Sequence, residues 1–94
     1  MDFDDCIYRL YEISKSENEE INQRFHSLAF NVSKNGITGL VPLEDGGISD
    51  GVPFTVILST LQSGLEQATT PLDRTKIEAL YSDLLSEGVD GYRQ

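Results

Sequence analysis

The sequence predicts a small, predominantly α-helical α+β domain: an N-terminal helix, a central β-hairpin at about residues 28–43, and two C-terminal helices. Near both ends of the chain, apolar residues recur at the spacing of one face of an amphipathic helix. In the middle, residues 28–33 alternate in the manner of a strand, and the Asn-Gly pair that follows is typical of a hairpin turn. An all-α arrangement of four helices is the alternative, and residues 1–94 are expected to form a single domain.

The first helix is predicted over residues 3–14. At about 100° per residue, Phe3, Ile7 and Leu10 fall on one side, which we expect to be buried. The opposite side carries four charged residues and one aromatic residue, namely Asp4, Asp5, Tyr8, Arg9 and Glu12. The apolar spacing continues into the following segment, so this region is either one long helix or two helices with a break near residues 14–16.

The middle of the chain fits two structures. Leu28 and Val32 share a helical face with the apolar residues before them, whereas Leu28, Phe30 and Val32 also have the alternate spacing of a strand. Asn35-Gly36 favours the strand, because both central positions of a type I′ hairpin turn need positive φ. We therefore predict the hairpin in preference to a helix that ends at Gly36.

Turn-forming residues dominate residues 44–53, which are predicted to be a loop. A helix is predicted to follow at about residues 53–68. The last helix is predicted to have Thr70 as its N-cap, a proline in its first position, and an end at Glu87 before a glycine. Residues 89–94 are expected to be a flexible tail.

The chain is strongly acidic. Sixteen Asp and Glu residues against seven Lys and Arg residues give a formal net charge of −9 on 94 residues. Such a charge repels nucleic acid and anionic membranes, so we expect direct binding to neither, and it attracts basic protein surfaces. A single cysteine, an acidic start and the lack of an apolar run of about 20 residues predict a cytoplasmic protein outside the membrane.

No residue pattern predicts catalysis, a metal site or a cofactor. Cys6 lies on the apolar side of the first helix and His26 is the only histidine, so neither a Cys–His nucleophile nor a zinc site is expected. The glycine-containing stretch around Asp45 and Asp50 lacks the ligand spacing of a calcium-binding loop. We therefore expect a non-catalytic protein without a metal ion or a cofactor.

Two acidic surfaces are the candidate partner-binding sites. The first is the outer face of the N-terminal helix, where a tyrosine lies among carboxylates, as an aromatic interface anchor would. Its residues are Asp4, Asp5, Tyr8 and Glu12, with Tyr11 at the border. The second is the predicted loop, with Glu44, Asp45 and Asp50. Both also fit ordinary solvated segments, namely a charged helix face and a connecting loop.

These expectations favour a small acidic inhibitor or decoy that docks on a basic, nucleic-acid-handling protein, as a toxin-immunity protein or a phage anti-defence protein does. Small acidic helical immunity proteins resemble this chain in composition, although their tyrosine-rich binding motifs are not found in it. The alternative is a regulatory adaptor or a small self-associating subunit, whose acidity serves solubility. A domain this small buries a limited share of its surface, and a homodimer would bury more.

Overall fold

A computed structural model of the protein describes residues 1–38 and 51–89. The described residues form four α-helices, α1 Phe3–Ser14, α2 Glu19–Asn35, α3 Phe54–Gln67 and α4 Pro71–Glu87. Two strands of two residues each, β1 Ile37–Thr38 and β2 Val52–Pro53, pair in parallel with Ile37 opposite Val52. The described part of the protein is therefore predominantly helical, as the sequence predicts. None of the described helices is long and apolar enough to cross a membrane.

The predicted β-hairpin at residues 28–43 is wrong where the structure describes it. Residues 28–35 continue α2, because Leu28 and Val32 lie on one side of a helix and bury their side chains in the core. Gly36 has a φ of 82°, and its N–H donates to the carbonyl of Val32 at 2.8 Å, so the Asn-Gly pair ends a helix. The short strand β1 then pairs with β2, and the rest of the predicted hairpin lies outside the described residues. The described residues contain the four helices of the all-α alternative, together with the short β1–β2 pair.

Residues 3–35 contain two helices, α1 and α2, and not one long helix. The Asn18 side chain accepts hydrogen bonds from the N–H groups of Glu20 and Ile21, at 3.1 and 3.3 Å. Such a side-chain cap satisfies donors that the first turn of a helix leaves unpaired. Asn18 therefore begins α2 as a separate element after the break at the end of α1.

The C-terminal half follows the predicted boundaries closely. Thr70 caps α4 as predicted, and its hydroxyl accepts a hydrogen bond from the N–H of Asp73 at 3.2 Å. Both α3 and α4 agree with the prediction to within one residue at each end. The predicted loop residues 44–50 and tail residues 90–94 lie outside the described part of the chain.

The core lies between the four helices. Phe25 of α2 packs over Gly64 of α3, where a Cβ atom would come within 2.8 Å of the Phe25 ring. The glycine therefore permits the close approach of α2 and α3. The buried apolar residues are Cys6, Leu10, Ile13, Ile21, Phe25, Leu28, Ala29, Val32, Ile37, Ile57, Leu61, Ile77, Leu80 and Leu84.

A polar junction joins the α1–α2 connection to the α3–α4 connection. The Ser16 hydroxyl donates to the buried carboxylate of Asp73 at 2.6 Å. The side-chain amide of Asn18 donates to the carbonyl of Gln67 at 3.0 Å. Because buried polar groups are costly unless they are paired, these contacts hold the two helix pairs in one relative position at this end of the bundle.

Candidate protein-binding surface

The outer face of α1 presents an aromatic ring to solvent. Tyr8 is 63% exposed and lies on the side of the helix opposite the buried Leu10 and Ile13. Side chains on the same helix share a side when they fall within about 100° around the axis. The predicted residues Asp4, Asp5, Tyr8 and Glu12 meet this condition, and we call these four residues the acidic face.

A hydrogen bond within the acidic face joins Tyr8 to Glu12, one turn further along α1. It raises the pKa of Tyr8, because it stabilises the protonated phenol. The same hydrogen bond is the main cause of the lowered pKa of Glu12, and the Lys15 ammonium, 3.4 Å from Glu12 Oε1, lowers that pKa further. Glu12 therefore stays charged at neutral pH.

The charges around the acidic face are only partly balanced. Arg9, predicted on the same side as the acids, is directed to α4, where it pairs with Asp83 at 2.7 Å. Within residues 1–38 and 51–89, no ion-pair partner approaches Asp4 or Asp5. The N-terminal half of the acidic face therefore keeps two uncompensated carboxylates beside the Tyr8 ring.

Tyr11 lies at the border of the acidic face and packs against α2. The centroid of its ring is 5.7 Å from that of His26, and the ring planes are 67° apart, which is an edge-to-face contact. Tyr11 is half-buried. Its ring contributes to the packing of α1 on α2, and only part of it is accessible to a partner.

The second predicted surface is not placed by the structure. Glu44 and Asp45 lie outside the described residues, and so does Asp50. Their role in binding a partner stays a prediction.

The thiol of Cys6 has none of the properties of a nucleophile. It is fully buried, and burial raises its pKa to about 11, so it stays protonated at neutral pH. Among the described residues, no group of three or more His, Cys, Asp or Glu side chains is arranged to hold a metal ion. The acidic face presents charge, hydrogen-bonding groups and an aromatic ring to solvent.

Two surface features of the structure were not predicted from the sequence. Phe30 is 52% exposed on the outer side of α2, with Lys34 Nζ 5.9 Å from its ring centroid. A helical assignment of residues 28–35 would have predicted that Phe30 is exposed, because Phe30 then lies far around the helix from the buried Phe25.

The second feature is a groove that follows the contact between α1 and α4. Its existence depends on how two helices that are distant in the sequence pack together, which no local pattern encodes.

In comparisons with known proteins, no family model, curated protein or solved structure matches this chain.

Proposed function

We propose that the protein is a small acidic, non-catalytic inhibitor or decoy that docks on a basic, nucleic-acid-handling protein in the cytoplasm, in the manner of a toxin-immunity or phage anti-defence protein. The observation that supports the proposal is the exposed Tyr8 ring, which lies beside Asp4 and Asp5, two carboxylates that have no ion-pair partner among the described residues. A groove that binds nucleic acid is positively charged, and this surface has the complementary charge.

The acidic face combines the two properties that such docking needs. Carboxylates accelerate encounter with a basic surface, because complementary potentials steer diffusion. An exposed tyrosine supplies contact area, and tyrosines are frequent among the residues that dominate binding energy.

A second candidate function is a regulatory adaptor or a self-associating subunit. Leu85 is 59% exposed on α4, and Leu72 and Phe30 are also exposed. Apolar side chains on the surface of a small domain are commonly covered by another protein, and a homodimer would cover them here. This function would use α2 and α4, so it does not depend on the acidic face.

Affinity capture from a lysate of the native host tests the proposal. The wild-type protein is immobilised, and the captured proteins are washed first at low and then at high salt. We expect a basic nuclease or another nucleic-acid-handling protein to be retained at low salt and released at high salt, because salt screens exposed charges. Recovery of the protein alone, or of an acidic partner retained through high salt, contradicts the proposal.

A matched pair of variants shows whether the captured protein binds the acidic face. The test variant combines Asp4→Asn, Asp5→Asn and Glu12→Gln. The control variant combines substitutions of three exposed carboxylates elsewhere, Glu20→Gln, Glu66→Gln and Glu78→Gln, and therefore changes the net charge equally. We expect the test variant to lose the partner and the control to retain it; equal losses in both would show that net charge alone is responsible.

A further inference from the structure

The groove between α1 and α4 has two sections that meet at Arg9. The first section, with a volume of about 350 Å³, is lined by Met1, Asp5, Tyr8, Arg9 and Glu87. The second, with a volume of about 320 Å³, is lined by Arg9, Glu12, Ile13, Thr75, Lys76 and Ala79. We call them the Tyr8 section and the Ala79 section. Each reaches the lower end of the size range of ligand pockets, which begins at about 300 Å³.

The Tyr8 section suits a cation. Asp5 has no ion-pair partner in the described part of the chain, and the exposed ring of Tyr8 lies beside it. The Glu87 carboxylate is 3.5 Å from the N-terminal ammonium group, so its charge is already compensated. A lysine or arginine side chain in this section would meet both a carboxylate and an aromatic face.

The Ala79 section suits an aliphatic side chain. Buried Ile13 and exposed Ala79 contribute apolar surface to its lining. Each charged group of its lining already has a contact: Arg9 pairs with Asp83, Glu12 pairs with Lys15 at 3.4 Å, and Lys76 Nζ donates to the backbone carbonyl of Glu12 at 3.4 Å. A polar or charged occupant would therefore find little new to pair with, whereas an aliphatic one would bury apolar surface.

We propose that this groove receives an extended segment of the basic partner in which a Lys or Arg residue and an aliphatic residue are two positions apart. Tyr8 and Glu12 are four residues apart on α1, so the two sections are separated by about 6 Å along the helix. Residues i and i+2 of an extended chain point to the same side and are about 6.6 Å apart. The inference rests on the proposed function and specifies the chemistry of the partner.

The test uses two peptides, acetyl-Arg-Gly-Leu-amide and acetyl-Arg-Gly-Gly-amide, titrated into the ¹⁵N-labelled protein and followed by NMR. We expect the leucine peptide to bind about fivefold more tightly, because a leucine side chain becomes partly buried. Both peptides should shift the amide signals of Asp5 and Tyr8, and only the leucine peptide should shift those of Thr75 and Ala79. Equal affinities, or the absence of binding, would overturn the proposal.

Filling the Ala79 section provides the matched variant. Ala79→Phe should abolish the higher affinity of the leucine peptide, and it should leave the affinity of the leucine-free peptide unchanged. Ser82→Phe, which adds the same ring to an exposed position of α4 that does not line the groove, should retain the gain. A gain that persists in Ala79→Phe would overturn the proposal, and if that variant does not fold, the two-peptide comparison on the wild-type protein decides.

Binding of the variants to the captured partner distinguishes failure of the groove proposal from failure of the proposed function. If the variant that combines Asp4→Asn, Asp5→Asn and Glu12→Gln loses the partner and Ala79→Phe retains it, the proposed function stands and the groove proposal fails. If both variants retain the partner, the proposed function and the groove proposal both fail.

Discussion

The outer surfaces of α1 and α3 differ sharply in charge, although both helices bury one side in the same core. The outward side of α1 carries Asp4, Asp5 and Glu12 around an exposed tyrosine, whereas Glu66 is the only charged residue in the whole of α3. Folding requires only that each helix be amphipathic, and α3 meets that requirement with a single charged residue. The carboxylates of α1 therefore exceed what the fold needs.

Part of that excess has a local explanation. Acidic residues in the first turn of a helix are stabilised by the helix dipole, at about 0.3–1 kcal/mol each, which accounts for Asp4 and Asp5. The dipole does not account for an exposed Tyr8 or for the carboxylate that it contacts. The proposed binding role therefore rests on the combination of ring and acids, and not on the acids alone.

The largest effects are expected on the inner sides of the two helices, where α1 and α3 should behave alike. Leu10→Ala and Leu61→Ala each remove a fully buried leucine side chain and should each lower the free energy of unfolding by about 2–5 kcal/mol. Urea denaturation followed by circular dichroism measures both. A cost below about 1 kcal/mol for only one of them would show that the helices do not share one core.

A smaller loss is expected where α3 meets α2. Gly64→Ala places a methyl group within 2.8 Å of the Phe25 ring, and overpacking of this kind should cost about 1–3 kcal/mol. The measurement is again the urea midpoint. Phe25→Leu in the same chain should recover part of the loss, and a fully additive double variant would contradict direct contact between the two sites.

The polar junction should contribute less than the core. Asn18→Ala removes the N-cap of α2 and the hydrogen bond to the carbonyl of Gln67, and should cost about 0.5–2 kcal/mol. Thr70→Ala, which removes the N-cap of α4, is the matched comparison. Asn18→Ala should be the more costly of the two, since it also disconnects the α1–α2 connection from α3. The reverse order, from thermal melts of both variants, would argue against the junction.

The smallest effect on stability is expected at the outer face itself. Tyr8→Phe removes the hydrogen bond to Glu12 but leaves the core intact, so the unfolding midpoint should hardly change, while the pKa of Glu12 should rise toward its ordinary value. The hydrogen bond stabilises the folded protein at pH values between the ordinary pKa of Glu and the ordinary pKa of Tyr. This stabilisation is lost as pH falls through the lowered pKa of Glu12. NMR titration of the Glu12 carboxyl carbon in both proteins provides the measurement, and an unchanged pKa would contradict the hydrogen bond.

Much of the fold could be predicted because its signals are local. The apolar spacing of α1 and α3, and the Thr70 cap with proline and glycine at the two ends of α4, are all visible within a few residues. The prediction for residues 28–35 of α2 was wrong because Leu28, Phe30 and Val32 fit both a strand and a helix. The helix buries Leu28 and Val32 against the other helices and leaves Phe30 exposed. These tertiary contacts favour the helix, and they cannot be seen in a short segment of sequence.

The candidate site divides in the same way. Helical periodicity is enough to bring Asp4, Asp5, Tyr8 and Glu12 to one side of α1. The position of Arg9 could not be predicted, because its partner Asp83 lies 74 residues away in the sequence. The same holds for the groove between α1 and α4, which exists only once the bundle has formed.

The rate of association with the captured partner, measured by stopped-flow over a range of ionic strength, tests most directly whether the acidic face recognises that partner. At low ionic strength the variant that combines Asp4→Asn, Asp5→Asn and Glu12→Gln should associate about tenfold more slowly than the wild type and lose most of its salt dependence. The control with Glu20→Gln, Glu66→Gln and Glu78→Gln should stay close to the wild type in both respects. Equal rates for the two variants would contradict the assignment of recognition to α1.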